Sequence, residues 1–145
     1  MVNFENLISP SDLKWDYLAE FTKEKRPPLY LRYNDHADIL MILFVPPEQE
    51  TDVFYADGNV GLLIHSENNN VVGFQIEAFK HAFLRDHTEV ERVWYLSETN
   101  VQPEEFSDFA LRFENTQRRV AREVIRATED FIDEPAVEDL IAALA

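Results

Sequence analysis

Residues 60–79 read Val60-Gly61-Leu62-Leu63-Ile64-His65-Ser66-Glu67-Asn68-Asn69-Asn70-Val71-Val72-Gly73-Phe74-Gln75-Ile76-Glu77-Ala78-Phe79. Two β-rich runs flank three asparagines, and asparagine tolerates the left-handed backbone region better than any residue but glycine. That pattern predicts a hairpin. In the second run Val72, Phe74, Ile76 and Ala78 share one face, while Gln75 and Glu77 point the other way. Upstream, Leu29 to Tyr33, Asp38 to Val45 and Val53-Phe54-Tyr55 carry the same β signature. Asp57-Gly58 reads as the source of the positive φ that a second tight turn requires. The connections are short and polar, with no helix-length crossover, so the strands are expected to pair antiparallel.

Helical periodicity lies on both sides of this core. Ser9-Pro10-Ser11-Asp12 ahead of Leu13, Tyr17, Leu18 and Phe21 predicts a capped amphipathic helix, which Pro27-Pro28 stops. After the sheet, Phe79, Ala82 and Phe83 return to helical spacing, and Val93-Trp94-Tyr95-Leu96 reads as an edge strand or a buried extended segment. From about Pro103 to Phe131 one stripe collects Phe106, Phe109, Phe113, Val120, Val124, Ala127 and Phe131. Pro103-Glu104-Glu105 suits the first turn of that helix. Pro135 opens a terminal helix with Val137, Leu140, Ile141 and Leu144 on one side. The expected fold class is α+β in a single domain, residues 1–145. An antiparallel β-meander of four to six strands (29–79) packs against an N-terminal helical extension (1–28) and a mostly helical C-terminal part (80–145).

The chain carries 28 acidic side chains against 13 basic ones, a net charge of −15, and no cysteine. A nucleic-acid partner would need a surplus of Lys and Arg, and an anionic membrane surface would repel this protein. The absence of cysteine removes disulfides, thiolate metal sites and a cysteine nucleophile. Residues 1–79 hold 5 basic and 13 acidic groups, and residues 80–145 hold 8 and 15, so the acidity is distributed and not a tail. Met1-Val2-Asn3-Phe4-Glu5 lacks the basic and apolar regions of a secretory signal, which predicts a cytoplasmic location.

Residues 30–79 resemble a bacterial and archaeal family of small uncharacterised proteins, domain-of-unknown-function family 2283. One carrying segment is Tyr33-Asn34-Asp35-His36-Ala37-Asp38-Ile39-Leu40-Met41-Ile42-Leu43-Phe44; the other is Asn69-Asn70-Val71-Val72-Gly73-Phe74-Gln75-Ile76-Glu77. The match covers about a third of the chain. It departs from the family in having three asparagines where Asp-Gly is usual, and in its long helical flanks. The resemblance implies a compact β-meander with packed helices, and no chemistry.

Candidate chemistry is sparse. Asp35, His36 and Asp38 place three potential metal ligands within four residues, although the spacing matches no established motif and an Asp at a strand start more often caps a turn. Glu77 and His81 would share a helix face, where a carboxylate orients an imidazole, only if the helix began before Glu77. The alternation from Val72 to Ala78 instead predicts a strand there. With three glycines in the chain there is no phosphate-cradling loop, and no serine sits in a nucleophile elbow. Arg112, Arg119, Arg122 and Arg126 form a stripe opposite the phenylalanine face. They offer a site for an anionic partner, or the ordinary solvated face of a helix laced with Glu–Arg pairs.

No catalytic residue, cofactor or resident metal is assigned. The expected function is a non-enzymatic protein-interaction or regulatory module that self-associates or binds a protein partner. The alternative is a small-molecule or metal-assisted enzyme using Asp35, His36, Asp38, Glu77 and His81, provided that they converge.

Overall fold

The structure, a computed structural model, describes residues 9–99 and 106–145, and their side chains except at 96–99 and 106–114. Strands β1 (Tyr30–Asn34) and β2 (Ile39–Leu43) form one hairpin. Strands β3 (Thr51–Tyr55), β4 (Val60–His65) and β5 (Val71–Glu77) form a three-stranded meander. β5 then pairs with β2, which gives one five-stranded sheet in the order β1-β2-β5-β4-β3 with every neighbouring pair antiparallel. This is the expected α+β, meander-like sheet.

The asparagine turn behaves as its composition requires. Asn69 sits at φ 61°, and His65 and Asn70 close the loop through a 2.8 Å backbone bond. The Asp57-Gly58 turn differs from expectation, because no glycine has a positive φ. Ala56 and Asp57 both donate to the Val60 carbonyl, and the Asp57 carboxylate accepts the Asn59 N–H at 3.1 Å. The reversal is spread over a longer loop, so the left-handed region is not needed there.

A register shift between Leu63 and Ile64 places an extra residue in β5. Val72 consequently leaves the face of Phe74 and Ile76 and packs with Leu43, Val45 and Leu63 on the other side of the sheet. Gly73, beside it, has no room for a side chain. A Cβ there would collide with the Ile42 carbonyl oxygen and lie 3.2 Å from Leu43 Cδ2. Replacing Gly73 by alanine is expected to destabilise the protein by about 1–3 kcal/mol, the usual effect of overpacking a core, seen as a lower urea midpoint at unchanged m.

Among the described residues the α-helices are α1 (Asp16–Ala19), α2 (Leu84–Asp86), α3 (Thr88–Thr99), α4 (Phe106–Ala127) and α5 (Pro135–Leu144). They complete the main core against Leu40, Ile42, Phe44, Phe54, Leu62, Phe74 and Ile76 of the sheet. The N-terminal helix is much shorter than the apolar spacing predicts. Pro10–Asp12 forms a 3₁₀ turn closed by Ser9 N–H on the Asp12 carboxylate. The chain then extends so that Lys14 bonds the backbone of Asn69 and Val71 at 3.0 and 2.8 Å. Those sheet-end bonds compete with helix continuation and interrupt it between the two short pieces.

Two further differences, in α3 and at the end of α4, follow from tertiary packing. Val93, Trp94 and Tyr95 lie in α3, not in an extended segment: Val90, Val93 and Trp94 present one buried helical stripe to the core. Phe131 is 43% exposed, because α4 ends at Ala127 in a 3₁₀ turn in which the Thr128 hydroxyl donates to the Ile125 carbonyl. Helix α5 packs on α4 and α1 of its own chain, with Ala136, Val137, Leu140, Ala143 and Leu144 buried. Pro103, Glu104, Glu105 and the side chains of Phe106, Phe109 and Phe113 lie outside the described residues. Among the described residues, no helix is long and apolar enough to cross a membrane.

Candidate functional site: the Asp38 carboxylate and His81

The β1–β2 turn is held by Asn34, whose side-chain oxygen accepts the N–H groups of His36 and Ala37 at 3.0 and 3.1 Å. Asp38 leaves that turn at φ 55°, a left-handed conformation that Asp adopts more readily than most residues. Its carboxylate is thereby directed toward the chain that follows β5. There, Ala78 turns at φ 51° and starts a π-helical turn, Phe79–Phe83. The first N–H groups of such a turn have no partner of their own. Asp38 supplies it: Oδ1 accepts Lys80 N–H at 2.8 Å and Oδ2 accepts His81 N–H at 3.0 Å.

Two side chains complete the cluster. The Tyr33 hydroxyl donates to Oδ1 at 2.6 Å, and His81 Nδ1 lies 2.7 Å from Oδ2. Asp38 itself is 8% exposed, whereas the His81 side chain is 86% exposed. Burial alone would raise the Asp38 pKa; the hydrogen bonds from Tyr33, Lys80 and His81 outweigh it and hold the carboxyl well below the usual carboxylate range. An ionised carboxylate only accepts, so Nδ1 of His81 must carry the proton and, in the neutral ring, Nε2 keeps the lone pair.

The platform beneath is aromatic. Tyr33, Phe79 and Trp94 meet pairwise with centroids 4.9–5.8 Å apart, and Phe83 stacks on Phe79 at 6.0 Å. The Lys80 ammonium lies 5.0 Å from the Tyr33 centroid and 5.9 Å from that of Trp94. Tyr33 is thus a site residue that sequence reasoning missed. Its only signal was an aromatic five positions before Asp38, next to last in β1.

Of the expected cluster, the structure joins Asp38 to His81 and leaves the rest apart. Asp35 and His36 are exposed in the turn. Glu77 is still in β5 on the side opposite Ile76, and it hydrogen-bonds Tyr55 across the sheet. The Glu77–His81 helical pair therefore does not form, and the imidazole takes its carboxylate from Asp38 instead. Among the described residues, no three His, Asp or Glu side chains gather as a metal site.

The arginine stripe does not converge either. Glu123 lies 3.1 Å from Arg126 Nη1 and 3.6 Å from Arg122 Nε, which partly neutralises both. Arg119 is exposed, and the side chain of Arg112 lies outside the described residues. Arg126 and Glu123 do line a surface groove of about 540 Å³ with Asp86, His87, Thr88 and Glu89, between the start of α3 and the end of α4. His87 is anchored there through Nδ1 to the Phe83 carbonyl at 2.8 Å. His65 accepts the Glu67 N–H on Nδ1, as a strand-boundary residue would. No family model, no curated protein and no solved structure matches this chain.

Proposed function

We propose that this protein is a non-catalytic interaction module that associates with further copies of itself, edge to edge. What supports the reading is the opposite charge around the two outer strands. Residues 23–32, which lead into and include most of β1, hold Lys23, Lys25, Arg26 and Arg32 against Glu24, with Lys25 paired to Glu20, outside this stretch, at 3.7 Å. Residues 48–57, which enclose β3, hold Glu48, Glu50, Asp52 and Asp57 and no basic residue. All nine side chains are exposed, and β1 and β3 lie at opposite edges of the sheet.

An edge strand carries a row of backbone donors and acceptors that can extend into another chain. Complementary charge steers such an encounter and fixes its register. Asp52 shares the helix-covered side of β3 with Phe54 yet remains exposed, a placement that discourages indiscriminate pairing and favours a basic edge. The contact joins two different surfaces, so it is head to tail and open to further addition. Repulsion between copies of charge −15 is screened beyond roughly 8 Å at physiological ionic strength, so the local contact decides.

A single strand pair buries well under the roughly 1,200 Å² of a stable interface, so the association is weak and concentration-dependent. Sedimentation velocity from micromolar to millimolar protein at physiological ionic strength is expected to show the weight-average sedimentation coefficient rising with concentration. A monomer at every concentration would contradict the proposal.

A further inference from the structure

The four histidines of the chain differ in what holds their rings. His65 accepts a backbone N–H on Nδ1, which leaves Nε2 protonated and without a lone pair. His87 is held by a neutral carbonyl and lies against the Phe83 ring at 4.2 Å. The His36 ring stands in an exposed turn. Only His81 combines a buried carboxylate on Nδ1, at 2.7 Å, with a side chain 86% exposed. Its backbone is pinned as well, because the same carboxylate accepts its N–H. The ring is therefore oriented from behind, with the nucleophilic nitrogen turned to solvent.

Two cationic residues are near it in the chain. Lys80 precedes it in the chain, and Arg85 reaches back to donate to the His81 carbonyl at 3.4 Å. The side chain is exposed and does not line the groove between α3 and α4. An exposed nucleophile of this kind suits a reaction partner that brings its own reactive group, and does not enclose a small substrate. Lys80, one residue before it, and Arg85, four after, suit an anionic transferred group, since both types are favoured phosphate partners.

We propose that His81 is a phosphoryl-acceptor site, modified on Nε2 by an N-phosphoryl or acyl-phosphate donor. The Nε2 lone pair forms the new N–P bond while the donor's bond to phosphorus breaks and its electron pair leaves with the donor fragment. That fragment takes a proton from solvent where its basicity requires one. Nδ1 keeps its proton throughout, and the positive charge that appears on the ring is stabilised by the Asp38 carboxylate, in the way a carboxylate steadies an imidazolium in a catalytic triad. Nothing is oxidised or reduced.

The probe is potassium phosphoramidate, a small N-phosphoryl donor, applied to the intact chain. Site occupancy is read by mass spectrometry under alkaline conditions and by phosphorus NMR. His81 is expected to gain one phosphoryl group on the order of 10-fold faster than His36 in the same molecule, a comparison that needs no variant. Asp38→Asn is expected to remove most of that advantage while leaving the His36 rate unchanged. Equal rates at His81 and His36 in the wild type, or an undiminished His81 rate in a folded Asp38→Asn protein, would overturn the proposal.

Discussion

Replacing Asp38 by alanine is expected to destabilise the protein by about 3–5 kcal/mol, measured by urea unfolding at neutral pH. The carboxylate accepts four hydrogen bonds, from Tyr33, Lys80 and twice from His81. Hydrogen bonds to a charged group contribute about 1.5–3 kcal/mol each and do not add fully, and losing the acceptor strands the donors at the start of the π turn. Alanine at φ 55° adds roughly 1–2 kcal/mol of backbone strain. Asp38→Asn keeps the tolerance for the left-handed region and part of the accepting capacity, so its effect is smaller. The pH dependence has a definite sign. The folded carboxyl titrates below its unfolded value of about 3.9, so its contribution is complete above that value and is lost as pH falls through the folded one. The stability difference between wild type and Asp38→Asn should be flat near neutrality and shrink as the solution is acidified below about pH 4.

The second large effect belongs to the terminal helix. Leu140 is 0% exposed and lies in the main core. Leu140→Ala is expected to cost about 2–5 kcal/mol, the range for truncating a buried leucine where neighbours cannot collapse fully. Leu140→Asp, which would bury an unpaired charge, is expected to leave the chain unfolded at room temperature. The apolar side of α5 thus has its cover within its own chain, against α1 and α4. Arg26 ties the end of the helix further by donating to the Ala145 carbonyl at 3.1 Å. A loss below about 1 kcal/mol in Leu140→Ala would place Leu140 outside the cooperative core.

What could be read from the chain divides along the range of the forces involved. The Asn68-Asn69-Asn70 hairpin was legible because left-handed tolerance is a local property, and Asn69 uses it. The α3 helix was misread from four residues rich in β-formers. A window opened at Val90 shows Val90, Val93 and Trp94 at helical spacing, and burial of that stripe outweighs local propensity. The break at Lys14 could not be read at all, because its cause is a backbone pairing with Asn69 and Val71, 55 and more residues away. Asp38 and His81 were both recognisable as reactive types, but 43 residues separate them and only the β2–β5 pairing brings them together.

The charge was the most misleading quantity in one dimension. Summed over each half of the sequence it looks uniform. Placing β5 between β2 and β4 puts β1, which carries Arg32, and β3, which carries Asp52, at opposite edges of the sheet. That polarity is a property of strand order, which no local pattern encodes.

A mixing experiment on charge-reversed edges tests the edge-to-edge account most directly. One variant carries Glu48→Lys, Glu50→Lys and Asp52→Lys, so both edges are basic; the other carries Lys23→Glu and Arg32→Glu, so both are acidic. By light scattering at matched concentration and physiological ionic strength, each variant alone is expected to remain monomeric, and an equal mixture to regain the wild-type association. Association of either variant alone to the wild-type level, or a mixture no larger than its components, would contradict the account.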